Sequence, residues 1–216
     1  MIRISILSLA TLLCLGCANV DEGDGTIPVQ TAEGAAAAGP ADAPFKVLFE
    51  TTKGNFTVEV HPEWAPNGAA HFRELVEDGF YDGCGFFRAV PNFMVQWGIA
   101  ADPKMTAKWE DSIQDDPVIQ SNKRGYMTFA QTGQPNSRST QLFINFGDNV
   151  GLDTQPNPFP PIGKVVGDGM KVVDSINKEY GEPPRDAQMR LTQEGNAYLK
   201  REMPNVDFIN KATIVD

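Results

Sequence analysis

FFRAVPNFMVQWG, residues 86–98, sets one arginine, Arg88, among phenylalanines, a methionine and a tryptophan, with Gln96 eight residues on. A permanent cation in the most apolar stretch of an acidic chain invites two readings. Either its stem covers apolar surface while its head stays in water, or the charge is held where chemistry uses it. As a strand, the stretch sends Met94 and Gln96 to one face and Val95 and Trp97 to the other. QLFINF, residues 141–146, divides the same way. Leu142, Ile144 and Phe146 have the character of core. Gln141, Phe143 and Asn145 set a large aromatic between two amides, which suits a binding surface better than a solvated one.

Working outward, Phe45, Val47 and Phe49 alternate with polar or smaller residues, and Phe56, Val58 and Val60 alternate again after Lys53-Gly54. This predicts an antiparallel hairpin. Ala69, Phe72, Leu75 and Val76 fall at helical spacing, with Gly79 as the C-terminal cap. Strands are expected over 86–90, 93–98, 125–130, 141–146 and 162–166. Met170, Val173 and Ile176 then mark a short helix, 186–202 a longer one, and FINKATIVD a closing strand. Many strands with few helices imply an antiparallel barrel or sandwich.

The chain has 216 residues and a formal net charge of −10, with no cluster of lysine or arginine. Nucleic acid is therefore excluded as an expected partner. MIRISILSLATLLCLGC, residues 1–17, has an early arginine and then an apolar run of signal-peptide length. It ends on Gly16-Cys17, which resembles a bacterial lipoprotein processing site with Cys17 as the lipidated residue; a plain secretory signal cut nearby is the alternative. Residues 18–44 contain five acidic residues, no basic ones and almost nothing bulky. Such a segment is expected to be a flexible tether, reaching about 30 Å on average as a coil. The folded domain is expected over 45–216, with 17 basic and 23 acidic residues.

Several chemistries are excluded early. His61 and His71 are the two histidines, and neither accompanies a serine or cysteine in a nucleophile–base arrangement. Cys84 is the one cysteine beyond residue 17, so the domain has no disulfide, and no metal site or cofactor is expected. GCGFF and GDGM match no phosphate-binding pattern.

The string F-F-R-x-x-P-x-F-M-x-Q over 86–96 resembles the signature of cyclophilins, the peptidyl-prolyl isomerases. TTKGNFTVEVHPEWAPNGAAHFRELVEDGFYDG resembles their first hairpin and helix. RGYMTFAQT, STQLFINFGDN and GKVVGDGMKVVDSI follow in the family's order. The resemblance covers about 45–178 and the last strand. It implies a mainly β fold: a closed eight-stranded antiparallel β-barrel with two capping helices, here with an added C-terminal helix before the last strand. It implies that Arg88 is catalytic and that Phe93, Met94, Phe143 and Leu152 receive a proline ring. Gln96 and Gln141 would hold the substrate backbone, and Ala130, Gln131 and Thr132 would line the strand beside it. The activity implied is rotation about Xaa–Pro bonds in exported proteins, by a monomer tied to a membrane through its lipid and facing the periplasm or exterior. A cyclophilin-like binding module or envelope chaperone is the alternative.

The sequence also departs from that pattern. Phe87 stands where many relatives have histidine, Trp97 where glycine is usual, and Gly151 where a bulky aromatic is common. Phe87 and Gly151 are expected at the pocket rim. The proline-rich 154–161 offers no histidine, leaving Phe159 as a candidate occupant of that place.

Overall fold

The computed structural model describes residues 43–215, Arg185 excepted. The expected export signal, Cys17 and residues 18–42 of the expected tether lie outside the described residues. Strands β1 (Phe45–Thr51) and β2 (Gly54–Val60) form the expected hairpin, with Thr51 opposite Gly54 and Phe45 opposite Val60. Gly54 sits at φ +118°, a conformation open to glycine alone in practice. Helix α1 (Pro66–Glu77) buries Ala69, Phe72, Leu75 and Val76. It ends as the glycine predicted: Gly79, at φ +71°, donates its amide to Val76, while Phe80 donates to Leu75.

Six further strands complete one antiparallel sheet. They are β3 (Arg88–Val90), β4 (Met94–Trp97), β5 (Tyr126–Phe129), β6 (Leu142–Asn145), β7 (Pro161–Val166) and β8 (Ile209–Val215). Their order is β3-β4-β6-β5-β7-β2-β1-β8. The sheet curls strongly, since Phe49 of β1 meets Trp97 of β4 edge to face at 5.8 Å although four strands lie between them. The inner faces of β1, β2, β4, β5 and β6 share one core, including Val47, Phe49, Val58, Val95, Phe129 and Ile144. Trp97 is fully buried there.

The closed barrel of the sequence reading is not what the ladder forms. The sheet is an open half-barrel with β3 and β8 at its ends. Gly85 and Phe208 make an isolated bridge between these ends, supported by Phe86 N donating to Asp207 O at 2.9 Å. Strand β3 is too short to extend the pairing, and its Ala89 amide is turned to Gly181 O at 3.2 Å instead.

The helices also exceed the expected set. A one-and-a-half-turn α2 (Pro103–Lys108) starts at Asp102, whose carboxylate accepts from Lys104 N. Helix α3 (Gly169–Ser175) lies against β2 and β7. The added C-terminal helix is two helices, α4 (Ala187–Glu194) and α5 (Asn196–Glu202). Gly195 divides them at φ +58°, and a Cβ there would come within 2.3 Å of Ala101 O. Beneath them Phe87, Ile99, Leu191, Tyr198, Leu199 and Met203 make a second apolar cluster. Phe87 is therefore buried under the added helices and not at the pocket rim.

One buried ion pair joins the long connections to α1. Arg138, fully buried, donates Nη1 to Asp116 Oδ2 at 3.0 Å, and Asp115 approaches its Nε at 3.3 Å. Asp116 also accepts the amides of Asn67 and Gly68 at 3.0 and 2.9 Å, serving the free N–H groups that open α1. Removing Asp116 leaves a desolvated charge and two unserved amides. Asp116→Ala should destabilise the fold by about 3–5 kcal/mol, read by chemical denaturation.

Candidate active site

On the outer face of the sheet, the register aligns Arg88 of β3 with Gln96 of β4, Gln96 with Phe143 of β6, and Phe143 with Thr128 of β5. Side chains in such a row project from one face, so the alternation read from 93–98 and 141–146 places a cation, an amide and an aromatic side by side. Met94, Phe143 and Leu152 form an apolar cluster separate from the core, with Val90, Phe93, Ala130 and Phe159 against it. All of these but Val90 line a cavity of about 420 Å³. All ten residues that the sequence singled out for the site open onto it: Arg88, Phe93, Met94, Gln96, Ala130, Gln131, Thr132, Gln141, Phe143 and Leu152.

Arg88 stands at the edge of this cavity with its side chain 23% exposed. Its Cζ lies 5.7 Å from the centre of the Phe93 ring. Nη1 donates to Gln96 Oε1 at 2.9 Å, and Gln96 Nε2 donates to Gln141 Oε1 at 2.7 Å. This relay spends the two glutamine carbonyls on internal bonds. The amide group of Gln141 is thereby the end of the chain. On the other side, Arg88 Nε donates to Glu182 Oε2 at 2.8 Å.

The walls are held by polar groups, of which the sequence singled out Asn145 and Gln131 but not Asn122, Asn149 or Asp153. Asn149 Nδ2 donates to Phe93 O at 2.8 Å and to Asn145 Oδ1 at 2.7 Å. Asn145 Nδ2 donates to Asn122 Oδ1, and Asn122 Nδ2 in turn donates to Phe159 O at 2.7 Å and Asp153 Oδ1 at 2.8 Å. Opposite walls, at Phe93 and Phe159, are thus tied through one amide network. Asn145 is fully buried within it, so of the two amides flanking Phe143 only Gln141 reaches the cavity. Gln131 lines the cavity but gives its Nε2 to Asn157 O and Pro158 O at 2.6 and 3.0 Å, anchoring the proline-rich loop. His71 serves Ser139, another lining residue, by donating Nε2 to its carbonyl at 2.7 Å.

Phe159 does occupy the cavity wall, edge to face with Phe143 at 5.8 Å. Gly151 is exposed, a Cβ there would meet nothing within 4 Å, and it does not itself line the cavity. Ser137, Gln155 and Gln188 also line the cavity without having been foreseen. Their contact is set by loop and helix placement, for which strand alternation gives no signal.

The sequence matches the family described as cyclophilin type peptidyl-prolyl cis-trans isomerase/CLD over residues 46–194. The chain belongs to the cyclophilin family. It is 36% identical to peptidyl-prolyl cis-trans isomerase A of Dickeya dadantii over 139 residues, covering 63% of this chain and 73% of that protein. A peptidyl-prolyl cis-trans isomerase of Acinetobacter baylyi is 35% identical over 133 residues, covering 60% and 70%. Among solved structures, a cyclophilin type isomerase of Cryptosporidium parvum superposes with a TM-score of 0.60 at 18% identity, over 81% of this chain and 99% of its own. That likeness speaks for the cyclophilin fold.

Asp153 supports the cavity from behind and should make it acid-sensitive. Burial alone would raise its carboxyl, but hydrogen bonds from Ser121 and Asn122 outweigh burial and hold it below the usual value. A depressed carboxyl contributes stability that is complete above its unfolded pKa, about 3.9, and lost as pH falls through the lower folded value. Asp153→Asn should therefore lower stability at pH 7 and flatten its decline below about pH 4, as followed by thermal melts.

Proposed function

We propose that this chain catalyses cis-trans isomerisation of Xaa–Pro peptide bonds, with Arg88 as the catalytic residue. The observation behind this reading is a guanidinium held at the edge of a cavity with an apolar floor, on the outer face of a cyclophilin fold. The cavity floor of Met94, Phe143 and Leu152 with Phe93 beside it suits a proline ring. A related Cryptosporidium structure was solved in the presence of the dipeptide Ala-Pro.

The chemistry follows from the bond. Amide conjugation opposes rotation by ~18–20 kcal/mol. Twisting breaks no bond but leaves the proline nitrogen pyramidal, with a localised lone pair. An N–H of Arg88 donates to that nitrogen or to the adjoining carbonyl when the amide is twisted. Because the donor is fixed beforehand beside an apolar floor, the interaction counts for more than it would in water. A 10⁵-fold acceleration needs about 7 kcal/mol of preferential binding of the twisted state. Gln141, whose amide group ends the relay from Arg88, and the Ala130–Thr132 segment hold the peptide while the bond turns.

Export and anchoring complete the reading. An apolar leader ending at Cys17, followed by an acidic linker, fits a monomeric domain tethered by lipid to a bacterial envelope membrane, acting on proline-containing exported polypeptides.

Arg88→Ala should lower kcat by about two to three orders of magnitude, equivalent to ~3–4 kcal/mol. Peptide affinity should change less, because ground-state binding rests on the apolar floor of the cavity. Arg88→Lys should rescue poorly, since an ammonium cannot reproduce the planar fork. Exchange NMR gives the rate, titration the affinity and a melt the intactness of the fold; parent-like turnover by Arg88→Ala would remove Arg88 from the mechanism. For anchoring, Cys17→Ser should move the protein from the membrane to the soluble fraction, and unchanged membrane association would contradict lipidation.

A further inference from the structure

The stretch YGEPP, residues 180–184, joins α3 to the added helices and runs beside the free edge of β3. Each of its residues is fixed by something different. Tyr180 packs against the second apolar cluster, and its hydroxyl accepts from Asn205 N at 3.0 Å. Gly181 turns the chain at φ +49°, and its carbonyl takes the Ala89 amide on the outer edge of β3. Pro183 is buried, and a proline confines the residue before it to extended backbone. Pro184 O accepts from Ala187 N at 2.9 Å as α4 begins. Glu182 is therefore held from both sides, directly across from Arg88.

Its carboxylate takes the guanidinium side-on. Oε2 accepts from Arg88 Nε at 2.8 Å and lies 2.7 Å from Nη2, while Gln96 holds Nη1 from the opposite flank. Arginine carries five N–H donors. Two are given to protein acceptors in this way, Nε–H to Glu182 and one Nη1 hydrogen to Gln96, which leaves the second Nη1 hydrogen and those of Nη2, beside Glu182, for a substrate.

We propose that Glu182 is a positioning residue for Arg88, and that the segment after α3 has been built into the site to supply it. This role rests on the isomerase reading. A four-torsion side chain at a partly open edge would otherwise sample several rotamers, and ordering it would have to accompany each passage over the barrier. Two acceptors on opposite flanks order it in the free protein. The carboxylate also opposes the guanidinium's field, an effect that would slow the reaction. Glu182 is 63% exposed, so water and salt weaken that long-range term. The hydrogen-bond geometry is local and persists. Gln188 of α4, which reaches the same cavity, is a second contact made by the added helices. Phe87 joins them to the strand of Arg88 from below.

The test compares the full-length parent with Glu182→Ala and Glu182→Gln on an Ala-Pro tetrapeptide. Exchange NMR gives kcat and KM, and ¹⁵N spectra of the free proteins follow the Arg88 Nε–H. The alanine variant should lose about tenfold in kcat with KM changed less than twofold. The glutamine variant keeps an acceptor oxygen and should recover most of the loss. The Nε–H should be protected from solvent exchange in the parent and the glutamine variant and exposed in the alanine variant. A Glu182→Ala protein as fast as the parent, or faster, would overturn the proposal, as would equal losses in both variants. An inactive parent with a protected Nε–H would overturn the isomerase reading, and this role with it.

Discussion

A strand sends successive side chains to opposite faces, and in β3, β4 and β6 both faces are put to use. The inner face fills the core with Ala89, Val95, Trp97, Leu142 and Ile144. The outer face carries Arg88, Gln96 and Phe143 in one row, with Met94 a step along β4. A slip of one residue in any of these pairings would move the cation into the core and Trp97 to the surface. Burial of Trp97 and its edge contacts with Phe49 and Phe86 therefore fix the register that assembles the site. Core packing and catalytic geometry are set by the same constraint.

That constraint also explains what could be read from the sequence. Alternation paired Met94 with Gln96 and Gln141 with Phe143 before any fold was known, because period-2 patterns survive in the chain itself. The cyclophilin resemblance supplied Arg88's role and the other expected site residues, and all ten meet at one cavity. Asn145 shows the limit: alternation gave its face correctly but not that loop 147–153 covers it, so an amide expected at the surface is fully buried. Phe87 shows another. Its departure from the family's usual histidine looked like a change at the rim, and it is a change in what lies beneath the added helices.

The half-barrel has a related cause. Only three residues of β3 can pair before the turn at Asn92, itself at φ +62°. The open edge that remains is an unpaired donor row of the kind proteins must cover. Gly181 covers it by accepting from Ala89. Covering the edge brings Glu182 to Arg88, so the element that ends the sheet also enters the site. Sequence periodicity had no means of showing this, since the contact depends on a turn, two prolines and an edge supplied by distant strands.

The central claim is that a fixed guanidinium beside an apolar cavity floor lowers the barrier to rotation about a proline peptide bond. Uncatalysed exchange takes tens to hundreds of seconds, so two-dimensional exchange NMR on an Ala-Pro peptide distinguishes catalysis directly. With a substoichiometric amount of the intact protein, cross-peaks between cis and trans resonances should appear at mixing times below a second. Resonances that shift on binding while cis and trans remain unexchanged would contradict the account and make this a binding protein.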